Sequence, residues 1–161
     1  MGFIHIAENG FLHRDLKPAN LLIKDKTVKI ADFGFAKKAG PNSQETINVG
    51  SPLYMSPEAL QKNIYTTKND VWSIGVILYE MLHGKAPWAC TSERQLKEEI
   101  SRNNISLLKS LSEDLKDFIR KCLTPDEKKR LSLKEINSHP FTNKLINENG
   151  PLLLRKITSL Q

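Results

Sequence analysis

Between Asp70 and Gly84 the chain carries Val71, Trp72, Ile74, Val76, Ile77, Leu78 and Met81, which fall on nearly every side of a helix. A helix that is apolar all round is stable in water only when other elements enclose it. This one is too short and too interrupted to span a bilayer. It therefore predicts a buried central helix over Val71 to Leu82, with the rest of the chain wrapped around it. Asn69 or Asp70 can cap its start, and Gly84 and Pro87 stop it. A chain of 161 residues suffices for one domain with one sizeable core.

The enclosing elements read as mostly helical. Ser92-Glu93-Arg94-Gln95 and Ser132-Leu133-Lys134-Glu135 have the capping-box pattern, and each opens a helix. The second of these helices ends near Pro140. Leu115, Phe118, Ile119 and Cys122 form the stripe of another. Leu21-Leu22-Ile23 and Val28-Lys29-Ile30 are β-prone runs joined by the polar stretch Lys24 to Thr27, which predicts a hairpin. Residues 35–53 are rich in Gly, Pro, Asn, Ser and Thr and read as a long loop, a feature often tied to function. From Thr142 onward there are small apolar clusters and an Asn149-Gly150-Pro151 break, which reads as a weak terminal helix or a loose extension. The expected fold is mainly α with a short β-hairpin, a domain over 1–141 and an extension over 142–161.

Composition excludes several classes. Cys90 and Cys122 have no metal or redox spacing and read as reduced thiols of an intracellular protein, which places the chain in the cytoplasm. The start MGFIHIAENG has no basic region followed by a long apolar core, so it does not read as a signal peptide. Ile6 stands where a myristoylation site wants Ser or Thr. The net charge of +6 admits a nucleic-acid partner, but the lysines are scattered, with short clusters only at Lys37-Lys38 and Lys128 to Arg130. A mixed, solvated surface explains that charge better, so no nucleic acid and no membrane span are expected.

The chemistry concentrates in His13-Arg14-Asp15-Leu16-Lys17-Pro18-Ala19-Asn20 and in Asp32-Phe33-Gly34. A tight hairpin between the two segments returns the chain close to where it left, so Asp32 can lie beside Asn20 and Asp15. Two carboxylates and a carboxamide are hard oxygen ligands suited to Mg²⁺. Lys17 adds a positive charge at the same place. Phosphoryl transfer is mainly positioning and charge neutralisation, and these are the groups it needs.

Those two segments, followed in order by Ser56-Pro57-Glu58, resemble the catalytic loop and metal-binding tripeptide of the eukaryotic-type protein kinases. The resemblance continues through Asp70 to Gly75, Gly84 to Trp88 and Arg130, as far as His139-Pro140-Phe141, and covers about residues 2 to 141. It implies the large, C-terminal lobe of a kinase, with ATP and Mg²⁺ as cofactors and proteins as substrates. Asp15 is then expected to accept or orient the acceptor proton, and Lys17 to stabilise the transferred phosphoryl group. Asn20 and Asp32 are expected to hold Mg²⁺, and Leu22 to lie beneath the adenine. His13 and Phe33 are expected to stack, and Asp70 to hold the backbone of the His13-Arg14 turn. Glu58 is expected to pair with Arg130 in a structural role. His5, His83 and His139 are read as structural or surface residues.

Lys17-Pro18 in the loop resembles the serine/threonine class, and Ser51 fits because its hydroxyl can reach Lys17 and Asp15. Lys29 to Ala36, Gly50 to Met55 and Gly84 to Pro87 look most like the unc-51-like, autophagy-initiating kinases. Arg14, just before Asp15, suggests an activation-loop phosphate, with Thr46 and Ser43 as candidates. The 161 residues contain no glycine-rich phosphate loop, no strand lysine of the Val-Ala-Ile-Lys type and no partner glutamate. The small lobe is therefore expected to be missing, as is most of the long helix that leads into the catalytic loop. Its loss is expected to leave an apolar patch beside the central helix. Two readings follow: part of an active kinase, or a binding module or decoy that does not phosphorylate. A small lobe encoded in frame upstream of Met1 would decide for the first.

The resemblance also bears on the acceptor, because the residue after Asp-Phe-Gly faces it and here is the bulky Phe35. Threonine's extra methyl restricts χ1, and a bulky neighbour disfavours the rotamer that aims its hydroxyl at Asp15. The complete enzyme is expected to prefer serine, and Phe35→Val to shift it toward threonine. A difference of about 1.4 kcal/mol in the transition state gives tenfold discrimination. Paired peptides differing only in the acceptor, compared by kcat/KM, test this. Equal rates unchanged by the substitution would contradict it.

Overall fold

A computed structural model describes residues 2–25, 27–40 and 48–147. The described residues fold into helices around one central helix, with two small antiparallel sheets at one end of the sequence. In chain order the elements are α1 (Gly2–Glu8), β1 (Phe11–Leu12), β2 (Leu21–Lys24), β3 (Thr27–Ile30) and β4 (Lys37–Lys38). They are followed by α2 (Pro57–Lys62), α3 (Thr67–His83), α4 (Glu93–Arg102), α5 (Glu113–Cys122) and α6 (Leu133–Ser138). A last helix, α7, covers 140–147.

The helix with the all-round apolar pattern is central, as expected, but it is not enclosed on every side: Met81 is 74% exposed. Helix α3 divides the core, with Trp72, Val76 and Tyr79 in one apolar cluster and Val71 and Ile77 in another. The first cluster includes Leu60 of α2, Leu96 and Ile100 of α4, and Ile119 of α5. The second includes Phe3 and Ala7 of α1, Phe118 of α5 and Ile136 of α6. Trp72 stacks on Trp88 with ring centroids 5.4 Å apart. Gly75 lets α3 and α5 approach closely: a Cβ there would lie 2.8 Å from Cys122 Cβ. No helix among the described residues is long and apolar enough to cross a membrane.

The start of α3 differs from the sequence reading. Its cap is Thr66, whose Oγ1 accepts the Lys68 N–H at 3.2 Å, while the Asn69 side chain accepts the Thr66 N–H. Asn69 and Asp70 therefore lie inside the helix, and Asp70 is left to serve a distant partner. Gly84 ends the helix in the left-handed conformation, φ 68°, as a residue without Cβ does readily. The box at Ser132 is reciprocal, as read. At Ser92 only half of it forms: Ser92 accepts the Gln95 N–H, but Gln95 reaches back to Thr91 N–H at 2.9 Å. The long loop over 35–53 contains strand β4, which the sequence reading did not anticipate.

Glu58 and Arg130 tie α2 to the segment before α6. Arg130 is fully buried, and its Nη1 and Nη2 donate to Glu58 Oε1 and Oε2 at 2.6 and 2.8 Å. Its remaining donors go to the carbonyls of Thr124, Lys68 and Pro125. The guanidinium also lies 5.0 Å above the Trp72 ring. Every N–H of the group is thereby satisfied, the condition under which a buried charge is tolerated. Removing one partner strands the other, so Arg130→Met is expected to cost about 3–5 kcal/mol. Replacing both Glu58 and Arg130 with Met should recover part of that loss, since neither charge is then left alone. Urea denaturation of the three proteins measures both effects, and a neutral single variant would contradict them.

Candidate active site

The loop 13–20 is fixed at both ends by strand pairing. β1 pairs with β4 (Phe11↔Lys38, Leu12↔Lys37), which brings the entry to the loop beside the chain that follows Asp32-Phe33-Gly34. At the other end β2 pairs with β3 from Leu21↔Ile30 to Lys24↔Thr27, so the hairpin forms as its β-prone runs predict. The Ala31 N–H donates to the Asn20 carbonyl at 2.9 Å, which sets Asp32 next to the end of the loop.

From inside, the loop is held by α3. Asp70, 1% exposed, accepts the N–H of His13 at 2.7 Å and of Arg14 at 2.9 Å. Burial pushes its carboxyl above the usual carboxylate range, and the two backbone donors pull it back. Arg14 sits at φ 69°, a conformation unusual for a side chain of its size. His13 is fully buried. Its Nε2 faces the Ala31 carbonyl at 3.1 Å, which requires the proton to be on that nitrogen, and its Nδ1 accepts the Asp15 N–H at 3.4 Å. The His13 ring lies 5.1 Å from that of Phe33.

Asp15 is buried and faces three partners. Lys17 Nζ donates to Oδ2 at 2.7 Å and Ser51 Oγ to Oδ1 at 3.0 Å. Lys17 also donates to Ser51 Oγ at 3.0 Å, closing a triangle. Asn20 Nδ2 donates to the Asp15 carbonyl at 2.8 Å, which orients the carboxamide and leaves its Oδ1 as the remaining acceptor. Asp32 is exposed, at φ 62°, and its Oδ1 accepts the Gly34 N–H at 3.2 Å. Among the described residues no group of three or more His, Cys, Asp or Glu could enclose a metal ion. Asn20 Oδ1 and the Asp32 carboxylate are hard oxygen groups of the type that can hold a divalent cation.

Ser51 reaches this triangle because Gly50 passes close to the loop. Gly50 has φ 109°, and a Cβ on it would lie 2.6 Å from the Arg14 carbonyl oxygen, so a side chain there is excluded twice. Arg14 Nε donates to the Phe35 carbonyl at 2.6 Å, and its guanidinium lies 5.5 Å from the centre of the Tyr65 ring. Leu22, Phe33 and Phe35 are exposed. Glu58 and Arg130 lie together in the scaffold, as described. Ser43 and Thr46 lie outside the described residues.

Sequence reasoning missed Tyr65. Its buried hydroxyl accepts the Val49 N–H at 2.9 Å and lies 2.8 Å from Asn48 Oδ1, anchoring the segment that leads into Gly50 and Ser51. Nothing in Asn63-Ile64-Tyr65-Thr66 signals this, because the partners are distant in the chain. Tyr54 was also left without a role. Its hydroxyl donates to Glu80 at 2.8 Å, and burial with the Glu80 contact pushes its pKa up to about 12. Ser73 of α3 donates to the Tyr54 carbonyl at 2.8 Å and holds the same turn from below.

The model of the protein kinase domain matches residues 1–142. A serine/threonine-protein kinase atg1 of Dictyostelium discoideum is 40% identical over 152 residues, covering 92% of this chain and 22% of that protein. ATG1b of Arabidopsis thaliana is 40% identical over 144 residues, 84% of this chain and 20% of that protein. ULK3 of Mus musculus is 39% identical over 147 residues, 88% of this chain and 31% of that protein. The chain thus spans less than a third of the length of these relatives. A loop carrying Asp15, Lys17 and Asn20, the neighbouring Asp32 and these matches lead to one conclusion: the chain is a partial kinase domain that belongs to the serine/threonine protein kinases and resembles the unc-51-like group.

Proposed function

We propose that these residues form the large-lobe half of an active site that transfers the γ-phosphoryl group of ATP to hydroxyls of protein substrates, serine preferred. The observation that carries this reading is the Asp15–Lys17–Ser51 triangle, with Asn20 bonded to the same aspartate. It places a carboxylate that can take a proton within 2.7 Å of an ammonium that can neutralise phosphoryl charge. Transfer needs both in register, and here the two groups and the Ser51 hydroxyl hold one another through side-chain hydrogen bonds before any substrate arrives.

Asp15 orients the acceptor hydroxyl and receives its proton, and Lys17 holds a non-bridging oxygen of the phosphoryl group in flight. Asn20 Oδ1 and the Asp32 carboxylate would hold Mg²⁺, which supplies charge neutralisation on the phosphates. Leu22, more than half exposed at 55%, offers an apolar surface for the adenine. His13 and Phe33, which meet at a tilt of 56° rather than stacked, lie beneath the second, smaller lobe that this reading requires outside residues 1–161. Phe35 favours serine, and phosphorylation at Thr46 or Ser43 would engage Arg14. The free thiols of Cys90 and Cys122 fit a cytoplasmic setting.

The purified 161-residue chain is expected to transfer no measurable phosphate. Joined to a kinase small lobe, it should phosphorylate protein in a Mg²⁺-dependent way. Asp15→Asn should then reduce kcat by at least about a hundredfold, the lower range for losing a positioned proton acceptor. Transfer of radiolabelled phosphate from ATP measures both outcomes. Robust transfer by the chain alone, or a fully active Asp15→Asn variant of the joined protein, would overturn the proposal.

A further inference from the structure

Tyr65 reaches both halves of the site from the scaffold. It lies between α2 and α3, 3% exposed, in the same apolar cluster as Trp72 and Val76. The backbone on either side of it is fixed. The Ile64 carbonyl accepts Asn69 Nδ2 at 3.1 Å, and Thr66, the cap of α3, donates from Oγ1 to Glu127 Oε1 at 2.7 Å. A buried side chain on such a support is locked in place and can serve as a post for its neighbours.

Both backbone groups of Val49 face the Tyr65 hydroxyl. It accepts the Val49 N–H at 2.9 Å, and its own proton can go to the Val49 carbonyl or to Asn48 Oδ1, each 2.8 Å away. One proton and two lone pairs allow a hydroxyl to accept one bond and donate another at the same time. Ser51 follows two residues on, and its Oγ donates to Asp15 Oδ1 at 3.0 Å. The Tyr65 ring serves the other half of the site. The Arg14 guanidinium lies 5.5 Å from its centroid, within the range of a cation–π contact, and Asp15 is the next residue.

Ser51 is thereby held from two directions. Downstream, the Tyr54 N–H donates to the Ser51 carbonyl at 2.9 Å, in the turn that Ser73 supports. Upstream, the Tyr65 hydroxyl holds the chain that arrives through Val49. Gly50 stands between, at φ 109° and with no side chain to restrict it, so it is the pivot if the upstream end is released.

We propose that Tyr65 is a positioning residue for phosphoryl transfer: by holding Val49 it keeps the Ser51 hydroxyl on Asp15, and so keeps the carboxylate aimed at the acceptor. The inference rests on the proposed role of Asp15 as the group that orients the acceptor. Without the Tyr65 hydroxyl, Gly50 turns and Ser51 withdraws. Asp15 Oδ1 then loses its donor, and Lys17 Nζ keeps Asp15 but loses Ser51 as an acceptor.

The test is Tyr65→Phe, which removes the hydroxyl and leaves a ring beneath Arg14. In the protein joined to a kinase small lobe, kcat should fall about tenfold, less than the hundredfold that a misplaced group can cost, with KM for ATP unchanged. On a Ser51→Ala background the same substitution should change kcat by less than about twofold, because Tyr65 acts through that hydroxyl. In the full 161-residue chain, hydrogen exchange read by mass spectrometry should become about tenfold faster over residues 48–51 and stay unchanged over α3. A joined protein that transfers no phosphate with Tyr65 in place would overturn the proposed function and this inference together. Transfer by that protein at a kcat that ignores Tyr65→Phe would overturn the inference alone. Equal losses on the two backgrounds would also overturn it, since Tyr65 would then serve only the stability of the fold. So would unchanged exchange over residues 48–51.

Discussion

The grip of Asp70 on the backbone of His13 and Arg14 is the contact on which the site depends. A carboxylate with 1% exposure is costly unless its oxygens are hydrogen-bonded, and here each oxygen takes one N–H. The same two bonds hold Arg14 at φ 69°, which a free chain would leave. Each side stabilises the other: the strained loop supplies the donors that the buried carboxylate needs. Asp15 follows directly in the chain, so its position is inherited from α3 rather than from its own loop. A solvent-exposed aspartate could not do this, because water would compete for both oxygens.

Rigidity then passes outward from α3 along two separate routes. His13 carries it to Ala31 and so to Asp32, while Ser73 carries it to Tyr54 and the turn that ends at Ser51. Gly50 connects the routes, since its lack of a side chain lets the Ser51 segment lie against Arg14. Arg130 and Glu58 belong to a different layer. They sit in the scaffold and fasten α2 to the segment after α5, so their contribution to chemistry is only that α3 stays enclosed. Burial of the two kinds of charge has opposite meanings: Arg130 is sealed by five protein acceptor contacts, whereas Lys17 keeps partial exposure beside Asp15.

What the sequence disclosed follows from how local each signal is. The apolar run of α3, the reciprocal box at Ser132 and the hairpin after Asn20 rest on neighbouring residues, and all formed as read. The eight residues from His13 to Asn20 were legible for the same reason, as a contiguous pattern. The start of α3 was misread because Asn69 and Asp70 are both good caps in isolation. Thr66 took the role instead, because Asn69 can answer from within the first turn and Asp70 is drawn to a partner far off in the chain. At Ser92 the neighbouring Thr91 offered Gln95 a backbone N–H and a hydroxyl together, which displaced the expected box by one residue. The two-residue ladder of β1 and β4, and Tyr65 against Val49, leave no periodicity at all, since each joins segments brought together only by the finished fold.

Two kinds of exposed apolar surface remain, and their surroundings separate them. Leu22 and Phe33 lie within two residues of Asn20 and Asp32, so apolar area there adjoins a carboxamide and a carboxylate in the chain. That mixture is what the proposed nucleotide site requires, since a nucleotide presents a flat apolar base at one end and anionic phosphates at the other. The groove beside Met81 has no polar side chain in its lining. Its side chains offer neither a donor nor an acceptor with which to orient a small molecule, and small-molecule sites need a few such groups. Area without direction suits another apolar side of protein, where side-chain packing alone supplies the fit. The difference lies in which helix end or loop each surface borders: the first surrounds a loop whose backbone is strained and fixed from α3, and the second follows the flank of α3 itself.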